Sequence, residues 1–201
     1  MQNPIKNICV FCGSSVVENK QYRLATRTLA AEFLKNDIHV LYGAGSVGLM
    51  GILAEEILAG GGRITGVVPE FLDAKEVVRR DLSELVLVRD MAERKSILMD
   101  RSDAFIALPG GFGTLDELFE VLTAVQLGLM TKPVALLNTN GYFNSVLEFL
   151  SHSVKERFLK SDHLKALVVG NNPTDLFNAI CNHSYQQPEN WIEKLIQTNK
   201  Y

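Results

Sequence analysis

The sequence predicts an α/β protein: one doubly wound, mostly parallel sheet of about seven strands with helices on both faces. Strand-like and helix-like segments alternate from one end of the chain to the other, with no repeat, low-complexity tract or long linker between them. The strand-like segments are short, continuous runs rich in Val, Ile and Leu, the pattern of parallel strands covered on both sides. Such alternation with right-handed crossovers closes into a doubly wound sheet. Glycines and small residues gather just after the strands, where a parallel sheet holds its ligand.

The elements follow in order. NICVFCG begins the sheet, and residues 19–36, NKQYRLATRTLAAEFLKN, have helical periodicity. HVLYGAG is the second strand and GLMGILAEEILAG the helix after it. RITGVVPE and ELVLVRD are strands three and four, and the latter leads into a helix from about Met91 to Arg101. AFIALPG is strand five, followed by a helix from Thr114 to about Met130. PVALLN is strand six, followed by a helix from Asn144 to about Phe158. LKALVVGN and NPTDLFNAICNH supply a last strand and helix. One domain is expected over residues 1–184. A helical tail, 185–201, carries Trp191 on one or two amphipathic turns.

Composition excludes several classes of function. With 201 residues, 47% apolar and 21% charged, the chain has the balance of a globular domain with a sizeable core. A net charge of -3 offers no basic field for nucleic acid, so an anion must be held locally by backbone amides and a few cations. The opening MQNPIKNICVFCGSS has an apolar stretch of only about six residues, too short for a secretory leader. No apolar run approaches a membrane span, and a cytoplasmic location is expected. Cys9 and Cys12 form a C-x-x-C, but in a strand, where residues three apart point to opposite faces. A redox pair opens a helix instead, and no second Cys/His pair completes a zinc site. Core thiols are the expectation. The four His residues are scattered at 39, 152, 163 and 183, and no metal is expected.

Two glycine motifs compete for a ligand. GAGSVG fits G-x-G-x-x-G through Gly43, Gly45 and Gly48. A dinucleotide fingerprint follows the first strand, with an acidic residue about 20 positions on. Here the motif follows the second strand and the nearest acid at a later strand end, Glu70, is too far along, so NAD is disfavoured. PGGFGT, residues 109–114, is more informative: glycines directly after a buried strand bare several N–H groups at a helix N-terminus, an anion site. No Lys follows these glycines, so it is not a P-loop.

The helices after strands four and five carry the candidate reagents. Leu115, Leu118, Phe119, Leu122 and Val125 share a face, and Glu117 lies off it. Thr114 and Glu117 also have the spacing of a capping box, and spacing alone leaves cap and reagent both open. Arg94 sits in an apolar stripe with Met91, Ile97, Leu98 and Arg101. A guanidinium there requires a carboxylate or phosphate partner. Asp90 caps that helix with Glu93 as its box partner.

MAERK followed by PGGFGTLDE resembles the M-x-E-R-K … P-G-G-x-G-T-x-x-E signature of the LONELY GUY (LOG) family, cytokinin riboside 5'-monophosphate phosphoribohydrolases often mislabelled lysine decarboxylases. VFCGSS, LYGAGSVGLMG, GVVPEFL and QLGLMTKPVALLN extend the resemblance over nearly the whole chain. It implies a single-domain Rossmann-like fold and hydrolysis of the N-glycosidic bond of a nucleoside 5'-monophosphate, an N6-substituted adenosine monophosphate or AMP. Arg94 and Glu117 are the implied catalytic pair. Lys95, Gly110, Gly111, Phe112, Gly113 and Thr114 are implied to line the phosphoribose site, with Thr123 near it, and Met91, Ser14, Gly45 and Glu70 to help hold the nucleotide. Ala92 stands where many members have His, and Ala44 where many have Gly. A homodimer is also implied.

These residue types suit the reaction. Cleaving the glycosidic bond builds positive charge on the ribose. A carboxylate such as Glu117 can stabilise it and orient water. Arg94 suits positioning and electrostatics rather than proton transfer. No cofactor is expected: a pyridoxal enzyme needs a Schiff-base Lys with a partner for the ring nitrogen, and nothing around Lys95 builds that pocket. The alternative is a non-catalytic nucleotide or molybdenum-cofactor carrier on the same fold, which would need the phosphate loop but not the Arg94–Glu117 pair.

Overall fold

A computed structural model describes residues 4–73 and 77–183. Its elements are β1 (Asn7–Phe11), α1 (Lys20–Lys35), β2 (His39–Tyr42), α2 (Gly48–Ala59), β3 (Ile64–Pro69), α3 (Glu70–Asp73), β4 (Glu84–Val88) and α4 (Met91–Arg101). They continue with β5 (Ala104–Ala107), α5 (Phe112–Gln126), β6 (Val134–Leu137), a 3-10 turn (Thr139–Gly141), α6 (Asn144–Lys155), α7 (Ser161–Leu164), β7 (Leu167–Gly170) and α8 (Pro173–Cys181). The seven strands form one parallel sheet in the order β4-β3-β2-β1-β5-β6-β7. The expected tail, 185–201, lies outside the described residues.

The period-two alternation of the strands divides the core into two layers. Ile8, Val10 and Cys12 face one side, against α1, α2 and α8. Cys9 and Phe11 face the other, against α4 and α5. The cysteines of the C-x-x-C therefore lie on opposite faces of the sheet, and burial pushes both thiols up. On α1, Ala25, Thr26, Leu29, Ala30 and Phe33 recur at helical spacing and are buried. Full burial of Leu29 or Phe33 is worth about 2 kcal/mol each. Asn19 caps α1, its side chain accepting from the Gln21 N–H at 2.9 Å. Asn172 caps α8 with Pro173 in the first turn.

The chain lays β1 to β4 outward in one direction, then crosses to the far side of β1 for β5. The connections after β1 and β5 thus diverge, which opens a crevice at the carboxyl ends of the strands. Backbone bonds fix its floor. Leu108 N–H donates to the Phe11 carbonyl at 2.8 Å, and Gly13 N–H to the Pro109 carbonyl at 3.0 Å. The Gly13 carbonyl in turn accepts from Leu49 and Met50 at the start of α2, at 3.0 and 3.3 Å.

The main differences from the sequence expectation lie in α5. It begins at Phe112 with Gly111 as N-cap, not at Thr114, and it ends at Gln126 rather than near Met130. Thr114 is inside the first turn, so it does not cap the helix and forms no capping box with Glu117. The buried face is Thr114, Glu117, Leu118, Val121 and Val125. It is rotated from the apolar stripe because the helix packs on the crevice as well as the sheet; Leu115, Phe119 and Leu122 stay partly exposed. The helix after β6 stops at Lys155, before Phe158. The short α3, α7 and 3-10 turn were not expected, being too brief to show a period.

Gly48 has φ +67°, and a Cβ there would overlap the Ser15 carbonyl and come within 2.7 Å of the Gly13 carbonyl. Gly48→Ala is expected to lower unfolding stability by at least about 2 kcal/mol, read from urea midpoints. An unchanged midpoint would mean that this close backbone approach is not needed.

Candidate active site

A cavity of roughly 890 Å³ lies over the carboxyl ends of β1, β2 and β5. Its polar end is the start of α5. Gly111 caps that helix without a side-chain bond, and no acidic residue stands in the first turn. The amides of Phe112, Gly113 and Thr114 have no acceptor within the helix, and they carry the positive end of its dipole. Around Gly111 and Gly113 there is open space where a Cβ would sit, so a ligand can reach the backbone. Gly110 is required for another reason: a Cβ there would overlap Thr114 Oγ1. The start of α2 differs, since its Leu49 and Met50 amides are already taken by the Gly13 carbonyl. The Leu49 and Met50 amides behind the G-x-G-x-x-G loop are therefore not free for a pyrophosphate.

Arg94 from α4 and Glu117 from α5 meet in this cavity. Arg94 Nη2 donates to Glu117 Oε1 at 3.3 Å, and each residue is only 6% exposed. Burial pushes the Glu117 carboxyl up to about 7, Arg94 pulling in the opposite direction. Arg94 Nε has no acceptor among the described residues, which leaves a buried donor for a ligand. Asp90 accepts from the Glu93 N–H at 2.9 Å, as the cap reading expects. Glu93 Oε2 accepts from the Arg89 N–H, at 2.8 Å, one residue before the cap. This cap orients the helix that delivers Arg94.

The remaining residues divide. Ser14, Gly45, Met91, Gly110, Gly111, Phe112, Gly113 and Thr114 line the cavity with Arg94 and Glu117. Lys95, Glu70 and Thr123 do not. Lys95 is paired with Glu120 at 2.6 Å and Asp116 at 3.2 Å on the outer side of α5. Glu70 is exposed at the start of α3. Thr123 donates to its own helix, to the Phe119 carbonyl at 2.6 Å, and lies about 14 Å along the axis from Thr114.

Sequence reasoning missed two parts of the site. The first is an apolar wall, with Val17, Val47, Val68, Leu72, Val77 and Val78 at the cavity surface. The returning segment is held by Ser46 N–H to the Val77 carbonyl and Arg79 N–H to the Ala44 carbonyl, both 2.9 Å. No periodicity marks such a segment. The second is Tyr142, whose hydroxyl donates to the Gly110 carbonyl at 2.8 Å. Asn138 fixes the turn that presents it, accepting from the Phe143 N–H at 2.7 Å. Asn140 and Gly141 take positive φ of 54° and 70°, and the Asn-Gly pair after β6 was the available signal.

Fold and site together define a parallel α/β protein with an anion cradle and a buried Arg–carboxylate pair at its topological switch point. Residues 50–180 match the family model described as possible lysine decarboxylase. The chain is 42% identical to the probable cytokinin riboside 5'-monophosphate phosphoribohydrolase LOGL6 of Oryza sativa subsp. japonica, over 90% of this chain and 72% of that protein. It is 45% identical to the cytokinin riboside 5'-monophosphate phosphoribohydrolase LOG1 of Arabidopsis thaliana, over 79% of this chain and 75% of that one. The chain belongs to the LOG family. The molybdenum cofactor binding protein of Rippkaea orientalis shares the fold, with a TM-score of 0.65 at 20% identity over 88% of this chain and 95% of that one. The decarboxylase wording does not fit the site: among the described residues no lysine lines the cavity, and Lys95 is held in ion pairs outside it. A pyridoxal group would have no Schiff-base partner there.

Tyr142→Phe frees the Gly110 carbonyl to turn toward a bound anion. It is expected to weaken AMP binding about threefold by calorimetry, the worth of one partly exposed hydrogen bond. Unchanged affinity would mean that the loop holds its shape without Tyr142.

Proposed function

We propose that the protein is a nucleoside 5'-monophosphate phosphoribohydrolase that cleaves an N6-substituted adenosine monophosphate, or AMP itself, to free base and ribose 5-phosphate, in line with relatives named for cytokinin riboside 5'-monophosphates. The observation that carries this reading is the buried Arg94–Glu117 pair set within one helical turn of a free anion cradle. The phosphate sits on the first-turn amides of α5, from Phe112 to Thr114, with Gly110 and Gly111 shaping the approach. Phosphate and carboxylate then bracket the ribose along a single helix. The side chains of Val68, Leu72, Val77 and Val78 face the base, and their apolar character suits an apolar N6 substituent.

The C1'–N9 bond breaks with its electron pair leaving on the base. Charge develops on the ribose, and the Glu117 carboxylate stabilises it. Water adds its oxygen to C1', and Glu117 accepts the proton that the base finally takes up. Arg94 holds Glu117 through Nη2 and offers Nε to a ribose or phosphate oxygen. Phosphate binding energy, remote from the reacting bond, fixes the sugar against Glu117. No step requires a metal or cofactor. Ser14, Gly45 and Met91 belong to the nucleotide site; Lys95 acts by anchoring α5 to α4. The partly exposed apolar side chains Leu115, Phe119 and Leu122, with exposed Leu127 and Leu129, support a homodimer. A carrier on this fold would have no use for the catalytic pair.

Incubation with AMP and with isopentenyl-AMP, followed by chromatography of the free base, tests the reading. Base is expected from at least one of them. Glu117→Gln should lose about 10³-fold or more in turnover while still binding nucleotide. No base from any nucleoside monophosphate, or full activity in Glu117→Gln, would overturn it. Because the ionised carboxylate is the working form, kcat/KM should rise with pH through a midpoint near 7. That is about one pH unit above the substrate phosphate's own second ionisation. A rate that falls through that range would make Glu117 an acid instead.

A further inference from the structure

We propose that Gly43, the first glycine of the G-x-G-x-x-G run, is a positioning residue that keeps the Arg94 guanidinium against Glu117 by leaving bare the backbone on which it lies. This rests on the reading of Arg94 and Glu117 as the reactive pair. It assigns a role to the one glycine of the motif that neither the nucleotide site nor the backbone geometry explains.

Each glycine of the run clears a different neighbour. A Cβ on Gly48 would overlap the Ser15 carbonyl, and one on Gly45 would come 2.7 Å from Met50 Sδ. On Gly43 it would overlap Arg94 Nη2, with Cζ at 3.0 Å and Met50 Cε at 3.3 Å. Nη2 is the nitrogen that donates to Glu117 Oε1. A methyl group at position 43 and the Arg94–Glu117 contact thus require the same space. Arg94 borders the cavity, so a methyl group at position 43 would push the guanidinium end of its side chain away from Glu117 and into that space. Backbone strain does not explain the glycine, because Gly43 is not among the residues with positive φ. The glycine is needed for the volume it leaves empty at the end of β2.

Displacing Nη2 alters the charge around Glu117 in a defined way. The groups that bear on this carboxyl are Arg94 and Lys95 from α4, Asp116 and Glu120 from α5 itself, and the Cys9 and Cys12 thiols from β1 and its carboxyl end. The two cations favour the carboxylate. Burial and the two acids oppose it. Lys95 is committed to Glu120 and Asp116, so Arg94 is the main source of compensation, and moving it leaves Glu117 harder to ionise.

The test follows the Glu117 carboxyl by carbon NMR in protein labelled at its glutamate carboxyls, the resonance being assigned by its loss in Glu117→Gln. In Gly43→Ala the titration midpoint is expected to move up by about one pH unit. Nucleotide turnover should fall about tenfold or more, with the acid limb of the rate profile moving the same way. In an Arg94→Ala background, adding Gly43→Ala should change neither the midpoint nor the rate further, because the group it displaces is absent. An unmoved midpoint in folded Gly43→Ala overturns the proposal. So do additive losses in the double variant. Should Gly43→Ala not fold, recovery of folding in Gly43→Ala/Arg94→Ala supports the proposal, and failure of both refutes it. The carboxyl titration needs no turnover. A wild-type protein that releases no base would therefore contradict the functional reading and leave the Gly43 result standing or falling alone.

Discussion

The site depends on the burial of one carboxylate. Glu117 is held out of water against the sheet, and desolvation raises its carboxyl despite the guanidinium beside it. For stability the sign is unfavourable. The unfolded chain loses this proton near the ordinary value of 4.5, while the folded chain holds it to about 7. The group's contribution is therefore best below 4.5 and declines as pH rises toward 7. A buried charge that weakens the fold is retained at functional sites because the same desolvation strengthens its field on a reacting centre. Arg94 limits the cost, and the Asp90 cap sets the helix from which Arg94 reaches Glu117.

Around that pair the structure separates two tasks along α5. The first turn offers amides with no side chain in front of them. The next turn offers the carboxylate, on the inner face. The glycines after β5 serve both ends: Gly110 lets Thr114 fold beneath the loop, and Gly111 and Gly113 leave the amides open. The start of α2, a few residues from the same crevice, is closed by the Gly13 carbonyl. Two glycine-rich turns in one sheet therefore differ in backbone bonding: the Gly13 carbonyl takes the Leu49 and Met50 amides of one, while the first-turn amides of α5 have no acceptor within the helix. Lys95 belongs to the scaffold of this arrangement, tying α4 to α5 through Glu120 and Asp116 on the side away from the cavity.

Much of this was legible in the sequence. Continuous apolar strands alternating with periodic helices gave the sheet, and a polar Arg94 within an apolar stripe indicated a buried partner. The partner itself was harder to find. The spacing of Thr114 and Glu117 imitates a capping box, and only the position of the Gly111 cap removes that reading. The apolar stripe of α5 pointed away from Glu117 because it mixes residues facing the sheet with others left partly exposed. Tyr142 and the Val77–Val78 segment carry no period at all. They reach the site through a left-handed turn and an isolated bridge, features set by tertiary contacts. Lys95 stood beside Arg94 in the motif but faces away from it in the fold, as successive residues on a helix do.

In the proposed reaction one helix, α5, holds both the phosphate and the carboxylate that acts on the sugar. A crystal structure of Glu117→Gln with bound AMP tests it most directly. The phosphate is expected on the amides of Phe112, Gly113 and Thr114, with C1' facing residue 117 and the base against Val68, Val77 and Val78. A phosphate bound instead at the start of α2, or a ribose turned away from residue 117, would contradict it.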